Sequence, residues 1–209
     1  MEIINLLVFG GICILLAFSP GPDNVYVMTI GITKGKKAAF VTTLGLASGV
    51  VFHTLAAALG VAVIFQSSPM AFDILKYLGA GYLFYIATQA FIHRNDVLEL
   101  SSLNEDKELR SLYFKGFIMN ILNPKVSIFF LAFLPQFVNA NLALSITNQM
   151  ILLGFIFLCV TVLVFSSIGF ISHIFGKKLL EKKSFSKVLN YLTSFVLYSI
   201  ALKLAFSQQ

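Results

Sequence analysis

The sequence has few charged residues and few cysteines, and both shortages exclude classes of protein. Only 11% of its 209 residues are charged, whereas a soluble domain has roughly 25%. With 58% hydrophobic residues, the composition instead predicts an integral membrane protein. The two cysteines, Cys13 and Cys159, both lie in apolar segments, where a free thiol behaves as a small hydrophobic group. We therefore predict no disulfide and no metal site.

The beginning of the chain also lacks the features of a cleaved signal peptide. No Lys or Arg precedes the apolar run that starts at Ile3, and no small-residue cleavage site follows Phe18. A secretory signal would have both. We therefore expect the first apolar segment to be retained as part of the membrane domain.

Six apolar segments are long enough to cross a bilayer. A hydrocarbon core of about 30 Å requires roughly 20 helical residues. The segments are too long for strands and do not alternate as barrel strands do, so helices are expected. We predict an all-α integral membrane protein with a single transmembrane domain, 1–209, whose spans are 3–33, 38–65, 70–92, 112–138, 146–175 and 188–206.

The positions of the basic residues predict the orientation of these spans. The loops at 66–70 and 139–149 contain no Lys or Arg. By the positive-inside rule, the basic loops are cytoplasmic and both termini lie outside. The net charge of +6 is then a topology signal rather than a nucleic-acid-binding surface. The basic loop residues are Lys34, Lys36, Lys37, Arg94, Lys107, Arg110, Lys115, Lys177, Lys178, Lys182, Lys183 and Lys187.

A polar stretch divides the chain into two halves of three spans each. Half one is 1–92, a cytoplasmic linker occupies 93–111, and half two is 112–209. Three is an odd number, so the second half enters the membrane with the opposite orientation. The spans therefore form two inverted three-helix repeats.

The first span of each half contains interior proline. Pro20 and Pro22 interrupt half one, and Pro124 interrupts half two. Interior proline removes a backbone hydrogen bond and breaks a helix. Asp23 and Lys125 adjoin these breaks, each about 15 Å from the cytoplasmic boundary at about 1.5 Å per residue. Both first helices are therefore predicted to break near the membrane midplane.

Asp23 and Lys125 are the deeply placed acid and base of this topology. A charge at the bilayer centre costs roughly 2.5 to 3.5 kcal/mol, so each requires a reason. One reason is a site for a polar solute between the two breaks. The alternatives are that the two residues pair with each other, or that Asp23 caps the helix resuming at Asn24.

The residues around the breaks match a zwitterion with an amino group and a carboxylate. The N–H groups of the helix restarting after Pro22 favour an anion, whereas Asp23 suits an ammonium or a proton. Half two adds Asn120, Asn123 and Lys125, which are donors for a second polar group. The predicted substrate-binding residues are Pro20, Gly21, Pro22, Asp23, Asn24, Asn120, Asn123, Pro124 and Lys125.

His53 lies in the middle of the second predicted span. A histidine there can relay protons near neutral pH, or it can be a hydrogen-bonded packing residue. Asp23 and His53 are therefore the candidates for proton coupling.

Two long stretches resemble the LysE-type translocators, in the homoserine/threonine-resistance branch of the lysine exporter superfamily. The first is SPGPDNVYVMTIGITKGKKAAFVTTLGLASGVVFHTLAAALGVA, residues 19–62, and the second is FKGFIMNILNPKVSIFFLAFLPQFV, residues 114–138. The resemblance implies export of amino acids across the bacterial inner membrane, driven by the proton gradient and without a cofactor. It assigns functional positions to the PGPDN element at 20–24, to the NPK element with Asn120, and to His53.

We therefore expect a proton-coupled exporter of neutral amino acids such as threonine, homoserine or leucine, because no second deep carboxylate is present for a basic side chain. Its partners are the amino acid, protons and membrane lipid, and a homodimer is one option. Two alternatives stay open: an exporter of a divalent cation or another small solute, and a non-transporting scaffold or sensor in which SPGPDN is a hinge. An enzyme is disfavoured, since no nucleophile–base pair or motif such as H-E-x-x-H is present.

Overall fold

The computed structural model describes residues 3–19, 21–61, 69–92, 108–180 and 183–206. Within these ranges the regular structure is helical and contains no strand. Pro20 and residues 93–107 of the predicted linker lie outside the described residues.

The first predicted span consists of two helices, α1 (Ile3–Phe18) and α2 (Pro22–Lys34), with a bend of 63° between their axes. Pro22 starts α2 because the first position of a helix needs no N–H donor. Helix α2 ends at Lys34, and the φ of 87° at the following Gly35 lies in the left-handed region that glycine adopts without strain. The break therefore lies where the two prolines predict it.

The fourth predicted span is broken in the same way. Helix α5 (Leu109–Ile121) is followed by α6 (Pro124–Ile128), and the chain continues to residue 137 in π-helical and 3₁₀ turns. The two parts are bent by 49°. Asn123 caps α6, because its side-chain oxygen accepts a hydrogen bond from the Lys125 backbone N–H at 3.0 Å.

Four further helices complete the described structure. Helix α3 (Lys36–Ala56) continues as a π-helix through Val61, and α4 is Pro69–Ile92. Helices α7 and α8 are Ile146–Leu180 and Lys183–Phe206. Helix α7 extends five residues beyond the predicted span, and α5 begins three residues before its predicted start.

Among the described residues, two helices are long and apolar enough to cross a bilayer, at 36–60 and 146–176. The number rises to four if each bent pair is counted as one span. The structure is therefore all-helical with apolar membrane spans, and the count of six spans in two inverted repeats stays a prediction.

The helices pack closely through small residues. Helix α3 lies against α5 and α7, α7 lies against α1 and α2, and α4 lies against α8. Gly45 of α3 faces the backbone at Tyr113, and Gly31 of α2 faces the backbone at Gly169. Such contacts allow helix backbones to approach each other within a membrane.

The buried side chains form two apolar clusters that meet near the helix breaks. The larger cluster includes Leu16 and Phe157, and the smaller cluster includes Ala17 and Phe165. The buried residues of α1 change from the larger to the smaller cluster between Leu16 and Ala17, and those of α7 change between Phe157 and Phe165. The polar residues of the two breaks lie where the two clusters meet. The smaller cluster is the one next to the basic loop at 34–37.

Candidate functional site

The two helix breaks meet at Asp23. The Nδ2 group of Asn123 donates a hydrogen bond to Asp23 Oδ2 at 2.9 Å, and Asn120 Nδ2 donates to the same oxygen at 3.3 Å. Asp23 is 2% exposed. The carboxylate of the first half is therefore held by amide groups of the second half.

Local helix structure explains these positions. Asp23 is in the first turn of α2, where the helix dipole stabilises negative charge. Asn120 is in the last turn of α5, and Asn123 is the N-cap of α6. The break between α5 and α6 places the two amides on either side of the interruption.

Lys125 occupies the break of the other half. Its Nζ donates to the backbone oxygen of Ser19 at 2.9 Å, and that of Leu16 lies 3.5 Å away. These carbonyls belong to the end of α1, where a cation is favoured by the helix dipole. Gly21 leaves room for this ammonium, since a Cβ at that position would lie 3.2 Å from Nζ.

Neither structural alternative for the two charges matches this geometry. Asp23 and Lys125 are both described, and they form no salt bridge with each other. Asp23 is not the cap of α2 either, because the N-cap is Gly21 and no side chain caps that helix end. Each charge instead contacts polar groups of the opposite half.

Besides the Ser19 hydroxyl, three buried oxygen atoms at the breaks have no hydrogen-bond partner. They are Asp23 Oδ1, Asn24 Oδ1 and Asn120 Oδ1. The amide nitrogen of Asn24 donates to the Ala17 carbonyl at 2.8 Å, which leaves its oxygen free. A buried polar atom without a partner costs roughly 1 to 3 kcal/mol. All three atoms are acceptors, so a group with several N–H donors matches them.

A small cavity adjoins these groups. Its volume is about 10 Å³, and its charged and amide lining comes from Asp23, Asn120 and Lys125. Helix α7 contributes Phe157, Thr161 and Phe165. A space of this size is near the minimum for one water molecule, so the helices must move apart before an amino acid can enter.

His53 contacts this network through the backbone. Its Nε2 lies 3.0 Å from the carbonyl oxygen of Asn120, and its ring stacks on Phe130 with 5.8 Å between centroids. A carbonyl only accepts hydrogen bonds, so Nε2 carries the proton. His53 is therefore a packed, hydrogen-bonded residue that is linked to Asp23 through Asn120 rather than by direct contact.

Most of the predicted site residues lie together. The side chains of Asn120 and Asn123 contact Asp23, and Lys125 lines the same cavity as Asp23. Gly21, Pro22 and Pro124 shape the backbone of the breaks. Asn24 holds the end of α1, and Pro20 lies outside the described residues.

The sequence-based prediction missed the contribution of α7. Phe157, Thr161 and Phe165 follow one another at intervals of four residues, which is the spacing of one helix face. A lone threonine within this apolar stretch was the available signal.

Among the residues that the structure describes, no group of three His, Cys, Asp or Glu residues is placed to hold a metal ion.

Comparison with known proteins gives several bacterial relatives. The chain is 31% identical to the uncharacterized membrane protein YrhP of Bacillus subtilis (strain 168), over 97% of this chain and 99% of that protein. It is 32% identical to a homoserine/homoserine lactone efflux protein of Salmonella typhimurium (strain LT2), over 59% of this chain and 60% of that protein. It is 26% identical to a leucine efflux protein of Salmonella choleraesuis (strain SC-B67), over 94% and 91% of the two chains. No solved structure matches the chain.

One family model matches the part of the chain that contains both broken helices and the cavity. The model of the LysE type translocators matches residues 14–208. The match includes both breaks, α3 with His53, and the face of α7 that lines the cavity. The resemblance found in the two sequence stretches thus extends over most of the chain, which belongs to the LysE type translocator family.

Proposed function

We propose that this protein exports neutral amino acids from the bacterial cytoplasm in exchange for protons, with the substrate bound between the two helix breaks. One observation carries the proposal. The unpartnered oxygens of Asp23 and Asn120 belong to residues that line the same cavity as the ammonium of Lys125. The site therefore offers acceptors and a donor, as a zwitterion requires.

The substrate ammonium is the group that fits the acceptors. It has three N–H donors, and Asp23 adds a negative charge that makes the hydrogen bonds stronger. Asn120 and Asn123 already hold one carboxylate oxygen of Asp23. The other oxygen is then oriented for the ligand without a further change in the side chain.

The substrate carboxylate is the group that fits Lys125. The ammonium of Lys125 is bound to backbone carbonyls at the end of α1, which are neutral acceptors. A carboxylate is a stronger acceptor. Substrate binding would thus draw Lys125 from α1 and loosen the contact between the two halves.

Proton coupling follows if Asp23 binds either a proton or the substrate ammonium. Protonation removes the negative charge, so each ligand lowers the affinity for the other. Outward movement of the amino acid is then coupled to inward movement of a proton. His53 is the second candidate for a proton carrier, through its contact with Asn120.

The packing supports access to the site from two sides. The larger and the smaller cluster lie on opposite sides of the polar level, so separation of either cluster would open one path. We assign the basic loops to the cytoplasm and the termini to the outside. The six spans, two inverted repeats and inner-membrane location belong to this proposal, because rocking of two repeats around a central site is a common transport mechanism.

The names of two relatives support the substrate class. Proteins named for efflux of homoserine or homoserine lactone and of leucine are similar to 59% and 94% of this chain, respectively. Homoserine and leucine have uncharged side chains. Because Asp23 is the one carboxylate among the described residues that line the cavity, the lining and the names together favour neutral amino acids.

The test is exchange by the purified protein in liposomes. Vesicles loaded with labelled threonine, homoserine or leucine should release it when a proton gradient is imposed. Asp23→Asn should abolish the response to the gradient, because an amide does not titrate. Glu108→Gln, at an exposed acid, is the matched control and should behave as wild type. A wild-type protein that moves none of these amino acids refutes the proposed function, and gradient-driven transport by Asp23→Asn at the wild-type rate refutes the role of Asp23.

A further inference from the structure

We infer that one face of α7, formed by Phe157, Thr161 and Phe165, contacts the substrate side chain and determines which neutral amino acids are transported. The inference rests on the proposed function and extends it to residues outside the two sequence motifs. We call these three residues the α7 wall.

The three side chains occupy one continuous surface. Their spacing of four residues places them on the same side of α7, and all three are buried. They line the cavity that also contains Asp23 and Lys125. A ligand bound to these charges therefore lies beside the α7 wall.

The remaining lining assigns the α7 wall to the substrate side chain. The charged and amide groups of the cavity come from α2, α5 and α6. An amino acid whose ammonium and carboxylate contact those groups presents its third substituent to the rest of the lining, which is the α7 wall with Leu16, Ala17 and Val126. Helix α7 has no Asp, Glu, Lys or Arg between residues 146 and 176, so it offers no counter-charge to a basic or acidic side chain.

Thr161 is the polar position of the α7 wall. Its hydroxyl donates to the Phe157 carbonyl at 2.8 Å, so its hydrogen is already used. The lone pairs of the oxygen can still accept a hydrogen bond. A substrate hydroxyl such as that of homoserine can donate to it, whereas the methyl group and the two rings suit an aliphatic substrate.

Close packing holds the α7 wall in position. Gly154 of α7 faces the side chain of Thr54, and Gly169 faces Ala39 so closely that a Cβ at Gly169 would lie 2.7 Å from the Ala39 Cβ. These contacts lie on either side of the three residues along α7. A rigid support of this kind is what allows a binding surface to discriminate between ligands.

The experiment measures selectivity rather than rate alone. Wild-type protein in liposomes is given labelled alanine, homoserine, leucine, phenylalanine and lysine, and kcat/KM is measured for each. Thr161→Val keeps the shape and removes the hydroxyl, so the homoserine-to-leucine ratio should fall by about tenfold, the size of effect expected for one hydrogen bond. Phe157→Ala should raise phenylalanine relative to alanine by a similar factor, because it enlarges the cavity.

Matched controls lie on the same helix. Ser167→Ala removes an exposed hydroxyl, and Phe155→Ala removes an exposed ring, so both should keep the wild-type ratios. If Phe157→Ala does not fold, Phe157→Leu gives the same comparison with a smaller change. Ratios unchanged in Thr161→Val and in the folded Phe157 variant, while wild type transports amino acids, overturn the inference alone. Failure of wild type to transport any of the five overturns the proposed function.

Discussion

Gly49 provides a sharp test of how helix packing controls the site. It lies where α3 meets the end of α5, and a Cβ at this position would lie 2.6 Å from Asn120 Oδ1 and 2.7 Å from Asn120 Cβ. Asn120 donates to Asp23 at 3.3 Å and accepts from His53 through its carbonyl. Gly49→Ala must therefore displace the side chain that holds Asp23.

The size of the effect follows from two opposing contributions. Alanine in a helix is favoured over glycine by about 0.5 to 1 kcal/mol. Loss of a hydrogen bond to a charged group costs about 1.5 to 3 kcal/mol. The net destabilisation from Gly49→Ala is then about 0.5 to 2.5 kcal/mol. Gly45→Ala should cost more, because its new methyl group would meet the backbone at Tyr113, which cannot rotate away.

The assay combines thermal unfolding of the purified protein with transport in liposomes. For a chain of this size, about 1 kcal/mol changes the Tm by roughly 2 to 4 °C. Gly49→Ala should lower the Tm modestly and slow transport strongly at a temperature where it is fully folded. Gly81→Ala is the control, because nothing lies within 4 Å of its added Cβ. Wild-type transport by Gly49→Ala, or equal damage from Gly81→Ala, would refute the reasoning.

Three further substitutions give separate outcomes. The Lys125→Met protein should insert normally but lose transport, as measured by vesicle uptake, with gel-filtration profiles as the folding control. If the transport rate and the substrate affinity are unchanged, Lys125 has only a structural role. His53→Gln keeps an N–H donor for the Asn120 carbonyl but does not titrate. Because Asp23 carries the coupling proton in the proposed function and His53 is packed, transport measured between about pH 5 and 8 should keep its pH dependence, and loss of that dependence would make His53 the proton carrier. Gln149→Leu removes three hydrogen bonds to the segment at 139–144. At roughly 1 kcal/mol for each bond, it should destabilise the protein by about 2 to 4 kcal/mol, which unfolding measurements should detect. Asn148→Leu, at an exposed position, is the control and should not destabilise the protein in this way.

The helix breaks could be predicted from the sequence because their cause is local. Pro22 and Pro124 each lack the N–H that a continuous helix needs, and both begin a new helix in the structure. The similar depth of Asp23 and Lys125 in the membrane was inferred from residue counts to the basic loops and stays a prediction. Those features depend on neighbouring residues and on helix rise, not on tertiary contacts.

The partners of the two charges could not be predicted in the same way. Equal depth is compatible with an ion pair, but the rotation of α2 relative to α6 determines which groups are within reach. That rotation depends on close contacts such as Gly31 against Gly169. The sequence does not show that these two glycines face each other. Asp23 consequently contacts Asn120 and Asn123 rather than Lys125.

The contribution of α7 was hidden for a different reason. In a soluble helix the polar face marks the side exposed to water. Lipid-facing and buried residues of α7 are both apolar, so the sequence gives little sign of which face lines the cavity. Phe155 and Phe157 are two residues apart, yet the first is 61% exposed and the second 4%.

The crossed contacts at the breaks favour the proposed zwitterion over a singly charged solute. Asp23 of the first half depends on amides of the second half, and Lys125 of the second half depends on carbonyls of the first. Movement of one half against the other stretches both sets of contacts, and each buried charge left without partners would be costly. An ammonium can replace the partners of Asp23 while a carboxylate replaces those of Lys125. A ligand with only one of these groups would leave the other charge unsatisfied, so under the proposed function helix separation requires both.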